Sequence, residues 1–134
     1  MLFENQDFSS GLKQAGSLDE HIFRYCEFAG MQIEGGNFTS TFLACCFTDC
    51  EWYWGLFNTA IFVDVKFLNC TFLGTGFSGV RFINCEFENC SFLKDNLGGK
   101  CAFNEVSWFA CTQKNCNGLE QEFLTRDNKQ SYIS

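Results

Sequence analysis

The sequence predicts an all-β fold in which the backbone turns a corner every five residues and winds into a coil. Three observations carry this prediction. Large apolar residues recur at intervals of five over most of the chain, and Phe alone supplies 18 of the 134 residues. Small residues stand two positions before them. The chain contains no Pro, so nearly every residue keeps the backbone N–H that a ladder of strands needs.

The recurring apolar residue is the centre of each five-residue unit. An unbroken series of twelve centres begins at Phe42 and ends at Leu97. Shorter series lie one residue out of phase with it, at Phe23, Phe28, Ile33 and Phe38 before it and at Phe103 and Trp108 after it. An alternating strand would put successive centres on opposite faces, and five residues of helix turn by about 500°. Each unit is therefore predicted to be one short side of a coil, with its centre pointing to the axis.

The positions two before and two after a centre have their own compositions. Nine of the ten cysteines stand two before a centre, and only Cys46, which should face outward, does not. Large and small residues then alternate inside the coil, as a narrow packed interior requires. The position two after a centre often holds Gly, Asp or Asn, such as Gly30, Asp64 and Asn84. These residue types tolerate tight corners.

These units resemble the pentapeptide-repeat family. Its unit is a small residue, a variable residue, Leu or Phe, and two further variable residues. The segments CEFEN, CSFLK and CTFLG are Cys/Phe versions of this unit, and the resemblance covers roughly residues 21–118. The resemblance implies a right-handed quadrilateral β-helix with four units per coil, and about five coils in this chain.

Four units per coil distribute the centres over four sides. We expect Phe23, Phe42, Phe62, Phe82 and Phe103 on side one; Phe28, Phe47, Phe67, Phe87 and Trp108 on side two; Ile33, Trp52, Phe72, Phe92 and Gln113 on side three; and Phe38, Phe57, Phe77, Leu97 and Gly118 on side four. The phase slips, a one-residue deletion before Phe42 and a one-residue insertion before Phe103, then both fall at the corner from side four to side one.

The two ends of the chain lie off this repeat. Residues 1–20 are predicted to form an N-terminal cap, residues 21–118 the β-helix, and residues 119–134 a C-terminal cap and tail. A cap is expected because a stack of coils leaves backbone edges exposed at both ends. Leu119, Phe123 and Leu124 fall on one face of a helix, which predicts a short capping helix.

The cysteines follow the repeat and not a disulfide or zinc pattern. The sequence has no C-x-x-C, and it contains a single His. We expect the inward thiols to act as small hydrophobic residues. Cys50, Cys70, Cys90 and Cys111 are predicted to share side three in consecutive coils. A disulfide or soft-metal ladder there is the alternative that the spacing leaves open.

No motif in the sequence indicates catalysis or a cofactor. A Gly-rich phosphate loop and a nucleophile elbow are both missing, and a filled coil offers no cleft in which a carboxylate could act as acid or base. We therefore expect no enzyme activity and assign no catalytic, cofactor-binding or metal-binding residue. The net charge of −7 argues against direct nucleic-acid binding. Without an apolar run near about 20 residues, we expect a soluble, cytoplasmic protein with no membrane contact.

The outward positions beside the centres carry two apolar stripes and one acidic group. Contiguous apolar residues suggest contact with a protein partner or a twofold homodimer, although β-branched and aromatic residues also simply favour strands. The stripes are Leu43, Ile61, Val63 and Ile83 on side one, and Tyr53, Leu73 and Leu93 on side three with Trp54 at the next corner. The candidate acidic face is Glu27, Glu86 and Glu88 on side two.

Two functions of different classes follow. The first is a non-enzymatic scaffold that binds a protein partner through its outer faces, as a regulatory or toxin-immunity protein does. The second is implied by the resemblance: a DNA-mimicking modulator of DNA gyrase or topoisomerase that protects against quinolones or a toxin. The acidity of the chain agrees with the second. Its shortness and its many neutral and apolar outward residues favour the first.

Overall fold

Short parallel strands stacked in four sheets form the regular structure of the computed structural model, which describes residues 1–9 and 18–119. These residues contain nineteen strands, and the sheets are named A to D. In stacking order, sheet A contains β1 (Leu2–Glu4), β2 (Ile22–Arg24), β6 (Thr41–Leu43), β10 (Ile61–Val63), β14 (Arg81–Ile83) and β18 (Ser107–Phe109). Sheet B contains β3 (Glu27–Ala29), β7 (Cys46–Thr48), β11 (Lys66–Leu68), β15 (Glu86–Glu88) and β19 (Thr112–Lys114).

The other two sheets have four strands each within the described residues. Sheet C contains β4 (Gln32–Glu34), β8 (Glu51–Tyr53), β12 (Thr71–Leu73) and β16 (Ser91–Leu93). Sheet D contains β5 (Asn37–Phe38), β9 (Leu56–Asn58), β13 (Gly76–Ser78) and β17 (Ala102–Asn104). From β2 onward, consecutive strands lie on sheets A, B, C and D in turn, so one circuit completes one coil. The predicted four-sided, all-β coil is confirmed.

The centres of the strands fill the axis of the coil. Phe72 stacks on Trp52, with ring centroids 4.7 Å apart, and on Phe92, with centroids 4.5 Å apart. Rings on adjacent sides meet edge to face, as between Phe67 and Phe72 at 6.2 Å and 61°. Both arrangements are favourable for aromatic quadrupoles. Burying each Phe contributes about 2 kcal/mol, so these columns are the main stabilising contacts.

Nearly every corner has a residue in the left-handed region two positions after the centre. Ala44, Asp64 and Asn84, for example, have φ of 53°, 57° and 52°. The backbone N–H of Asp64 donates to the carbonyl of Ile83 in the next coil at 2.9 Å. The corner thus reverses the chain and also adds a hydrogen bond between coils, which explains the Gly, Asn and Asp at this position.

The cysteines two positions before the centres donate hydrogen bonds as well as filling space. The Sγ of Cys70 lies 3.4 Å from the carbonyl oxygen of Phe47, and that of Cys90 lies 3.2 Å from the carbonyl oxygen of Phe67. Each acceptor is the centre of a strand in the preceding coil. The hydroxyl of Thr75 makes the equivalent bond at 3.4 Å. A small side chain with a weak donor therefore suits this position better than Ala.

The coil begins earlier than the repeat pattern indicated. Residues 1–20 were expected to form a cap, but Phe3 in β1 stacks on Phe23 at 5.4 Å, and Phe8 stacks on Phe28 at 5.1 Å. β1 pairs in parallel with β2 and adds a strand to sheet A. The five-residue spacing of Phe3 and Phe8 is the signal that identifies this additional turn.

The prediction that Leu97 is a centre on side four is wrong. Leu97 is 80% exposed and lies in a loop, residues 94–101, that we call the insertion loop. The centre that pairs with Phe77 on sheet D is Phe103. Phe103 follows Phe92 by eleven residues instead of the usual five, so the loop accommodates six additional residues. It does so because Asp95 folds the loop back on itself by accepting hydrogen bonds from backbone N–H groups. The insertion therefore falls between sheets C and D and not between sheets D and A.

The centres after the insertion loop lie one side earlier than predicted. Trp108 pairs with Phe82 on sheet A, and Gln113 pairs with Phe87 on sheet B. The same shift changes the cysteine column. Cys116, and not Cys111, lies beside Cys90, with 3.4 Å from the backbone N of Cys90 to the Sγ of Cys116.

The C-terminal end is described only as far as Leu119, whose side chain is buried. The capping helix predicted within residues 119–134 lies outside the described residues. Among the residues that are described, no helix is long and apolar enough to cross a membrane.

Candidate protein-interaction site

The apolar stripe predicted on side one forms a continuous column on sheet A. Leu43 and Ile83 are the register partners of Val63 on its two neighbouring strands, and all three are half-buried. Ile61 occupies the other outward position of β10 and is also half-buried. Phe109 continues the column beyond Ile83 and is 44% exposed. The sequence did not predict Phe109 here, because the misplaced insertion put its strand on side two.

The stripe predicted on side three is also brought together, on sheet C. Leu73 pairs with Tyr53 on one side and with Leu93 on the other. Leu93 is 43% exposed, and Trp54, at the corner after β8, is 44% exposed. Glu34 precedes Tyr53 in the same column. The first two strands of sheet C, β4 and β8, therefore place carboxylates next to aromatic rings.

The three residues of the predicted acidic face lie on sheet B but do not form one column. Glu27 and Glu86 occupy equivalent positions three strands apart, and Cys46 and Lys66 lie on the two strands between them. Glu88 is the second outward residue of the strand that carries Glu86. The positive charge of Lys66 interrupts the acidic surface.

The insertion loop is fixed against the corner that carries Trp54. One carboxylate oxygen of Asp95 accepts hydrogen bonds from the backbone N–H groups of Leu97 and Gly99, both at 2.8 Å. The other accepts from the indole Nε1–H of Trp54 at 2.7 Å. These donors, that of Gly99 foremost, hold the pKa of Asp95 below its usual value. The side-chain amide oxygen of Asn96 accepts a hydrogen bond from the hydroxyl of Tyr53.

A glycine lets the loop approach the coil. Gly74 is the corner residue between the loop and Trp54 along the axis, and its φ is 56°. A Cβ on Gly74 would lie 2.5 Å from a carboxylate oxygen of Asp95, which is closer than real Cβ contacts. The loop therefore reaches back from the coil of β16, across the coil of β12, to the corner after β8.

The loop, β4 and β8 enclose a groove of about 460 Å³, which we call the corner groove. The rings of Tyr53 and Trp54 lie 4.5 Å apart, with their planes at 55°. The polar and aromatic residues that line the groove are Gln32, Glu34, Glu51, Tyr53, Trp54 and Asn96. The repeat predicted that the two aromatic residues point outward. It did not predict the groove, since Asp95 and Trp54 are 41 residues apart in the chain.

The thiols are mostly enclosed. All ten cysteines are free, and eight of them are buried. Burial raises the pKa of the Cys45 thiol to about 12. Cys46 faces outward as predicted and is half-buried, with its Sγ 3.6 Å from the hydroxyl of Thr48. Among residues 1–9 and 18–119, no group of three or more His, Cys, Asp or Glu is placed to hold a metal ion.

Comparisons with known proteins find similarity in structure and not in sequence. No protein-family model and no curated protein sequence matches the chain. The structure is similar to that of a pentapeptide-repeat protein, Rfr23, from the cyanobacterium Cyanothece 51142, with 9% sequence identity and a TM-score of 0.46, over 87% of this chain and 83% of that one. It is also similar to QnrB1, a plasmid-mediated fluoroquinolone resistance protein, with 12% identity and a TM-score of 0.37, over 87% and 81% of the two chains.

The structure of this chain shows the repeat directly. Five-residue sides with a buried aromatic centre, a small residue two positions before it and a left-handed corner two positions after it recur around four parallel sheets. By this geometry, the fold is a four-sided parallel β-solenoid built from five-residue units.

Proposed function

We propose that the chain is a non-enzymatic scaffold that binds a protein partner through its outer faces, in a regulatory or toxin-immunity role. The observation that carries this proposal is the column of Leu43, Val63, Ile83 and Phe109 along four consecutive strands of sheet A. Contiguous apolar patches on soluble proteins are often contact sites. The strands hold these side chains at a fixed spacing of about 4.8 Å, so the surface is preorganised and loses little entropy on binding.

A pair of charged substitutions tests sheet A as the binding face. We expect Ile61→Asp/Val63→Asp to lose a partner that the wild-type chain captures from a host lysate, because the substitutions put one charge into the apolar column and a second one beside it. The matched control is Leu56→Asp/Asn58→Asp, which changes the same two outward positions of β9 on sheet D. Circular dichroism checks that both variants fold. Recovery of the same partners by both variants would exclude sheet A.

The same variants distinguish a homodimer from a complex with another protein. An apolar column can pack against a second copy of itself across a twofold axis, so a second copy of the chain is one candidate partner. Light scattering should then give twice the 15.3 kDa mass for the wild type and for the sheet D control. The sheet A variant should be monomeric.

The second candidate function is modulation of DNA gyrase through DNA mimicry, and the net charge of −7 is the observation in its favour. Lys66 between Glu27 and Glu86 weighs against it, because a mimic of the DNA backbone needs an unbroken negative surface. A gyrase supercoiling assay with micromolar protein, with and without a quinolone, decides the question. Inhibition or protection supports this function, and no effect removes it.

A further inference from the structure

We propose that the corner groove binds an arginine side chain presented by a protein segment. Sheets A and C are opposite walls of the four-sided coil, so a partner on sheet A leaves this groove open. The proposal is therefore separate from the function assigned to sheet A. It rests on the charges, the rings and the shape of the groove.

The groove carries negative charge that nothing on its wall balances. Glu34 and Glu51 lie diagonally on neighbouring strands, since Glu51 pairs with Gln32 and Tyr53 pairs with Glu34. Neither carboxylate forms an ion pair with any described residue. The described strands of sheet C contain no Lys or Arg. A cation in the groove would lie near both carboxylates, and its attraction to them strengthens as it displaces water.

The aromatic rings favour a flat cation over a compact one. A guanidinium group stacks on indole and phenol faces, and it donates two parallel hydrogen bonds to a carboxylate. Tyr53 stands next to Glu34 in register and two residues from Glu51 on the same face of its strand. Trp54 adds a second ring 4.5 Å away. An ammonium group can use the charges here but not the planar contacts.

The position of Trp54 has a conformational cost that glycine would avoid. Its φ is 66°, whereas the equivalent corners of the coils on either side are Gly35 and Gly74. A bulky residue in this region costs on the order of 1 kcal/mol. The hydrogen bond from its indole N–H to Asp95 fixes the ring. The ring is thus held in place before a ligand arrives, which reduces the entropy lost on binding.

The size of the groove suits one side chain and its neighbouring backbone. Its volume of about 460 Å³ lies within the range of roughly 300–1,000 Å³ of small-ligand sites. One wall is the insertion loop, through Asn96, and the floor is sheet C. Because the groove is open to solvent, an arginine within a longer chain can enter it.

The test is an NMR titration of the ¹⁵N-labelled chain with three blocked amino acids: N-acetyl-arginine methylamide, its lysine counterpart, and the neutral isostere N-acetyl-citrulline methylamide. We expect the arginine compound to shift the Trp54 indole resonance and the amides of Glu34, Tyr53 and Asn96. The shifts should saturate with a dissociation constant on the order of 1 mM, weaken with added salt, and be missing with citrulline.

The variants keep the coil and change either a ring or a charge of the groove, and Trp54→Gly also removes the hydrogen bond to Asp95. Trp54→Gly restores the corner residue of the neighbouring coils, and it should weaken arginine binding about five-fold by the loss of the ring, as read from the backbone amides. Glu51→Gln should weaken it by a similar factor. The matched control is Tyr25→Gly, which replaces another exposed aromatic residue at a left-handed corner, φ 57°, outside the groove. It should leave arginine binding unchanged.

Three results would overturn the proposal. Equal shifts with citrulline would mean that charge is not recognised. Tighter binding of the lysine compound would exclude the guanidinium assignment. Shifts with arginine that survive Trp54→Gly and Glu51→Gln unchanged would place binding elsewhere. None of these results bears on capture of a partner by sheet A, which the substitutions of Ile61 and Val63 test independently.

Discussion

In the middle coils, a buried phenylalanine such as Phe67 is held by rings above, below and on both sides. Phe67 stacks on Phe47 at 5.1 Å and on Phe87 at 4.7 Å. It also meets Phe62 at 5.5 Å and Phe72 at 6.2 Å. The backbone of each neighbour belongs to a hydrogen-bonded strand, so these rings cannot move inward to fill a vacated position. The cost of a truncation should therefore lie toward the upper part of the usual range.

We expect Phe67→Ala to lower the free energy of unfolding by about 3–5 kcal/mol, from lost transfer energy and an uncollapsed cavity. Urea denaturation measures it. The control is Leu97→Ala, at the exposed position that the repeat pattern placed in the core, which should change stability by less than about 0.5 kcal/mol. A loss under about 1 kcal/mol for Phe67→Ala would contradict the structure.

The thiols should differ sharply in reactivity. Most of the inward thiols are buried, and burial raises the pKa values of Cys45 and Cys101, so these remain protonated near neutral pH. Cys46 alone points outward from a strand. We expect Ellman's reagent to react quickly with one thiol of the native chain and with ten after denaturation. Cys46→Ser should remove the fast phase, and a fast phase that persists would show an opening of the coil.

At the level of elements, none of the described strands is long enough to be stable alone. A three-residue strand gains its hydrogen bonds only from the coils before and after it, and its direction is set by the corners at its ends. The insertion loop differs from the strands, because its conformation depends on one side chain and not on backbone pairing with neighbouring coils. Asp95 accepts hydrogen bonds from two backbone N–H groups of the loop and from Trp54 on an earlier coil.

The protonation of Asp95 should therefore control the loop. Its pKa is lowered by hydrogen bonds to the charged form, so the anchoring is complete above the ordinary value of about 3.9 and is lost as pH falls through the lowered value. We expect the Trp54 indole ¹H resonance to titrate with a midpoint below that ordinary value. In Asp95→Asn this titration should disappear. An unchanged titration in that variant would assign it to another group.

For the molecule as a whole, the sequence predicted the coil well because the coil is repetitive. Phe62 and Phe82 are in register as expected, since a constant interval between large residues leaves only one way to bury them all. Leu97 was misplaced because it is apolar and stands at the expected interval. The Asp, Asn and two Gly around it are the turn-forming residues that mark the loop. Phe3 and Phe8 were missed because two units alone do not establish a period.

The candidate site was harder to predict than the coil. The repeat correctly placed Leu43, Val63 and Ile83 side by side, because outward positions follow from the centres. The corner groove depends instead on where the insertion loop lies. The position of the loop is set by a hydrogen bond from Trp54 to Asp95, which are 41 residues apart in the chain. No local sequence pattern predicts such a contact.

Register partners in neighbouring coils of four regular sides lie twenty residues apart, as Phe62 and Phe82 do. The stack of coils can therefore be shortened only by one complete coil at a time. Deleting residues 61–80 joins Ala60 to Arg81 and puts Phe82 in the place of Phe62. We expect this chain to keep its β-sheet circular dichroism but to lose the Trp54–Asp95 contact, because the turn between loop and tryptophan is gone. Deleting residues 61–78 should instead prevent folding, and equal stability of the two deletions would contradict the stacking. A binding residue on this protein can therefore be moved along the coil axis only in steps of one complete coil.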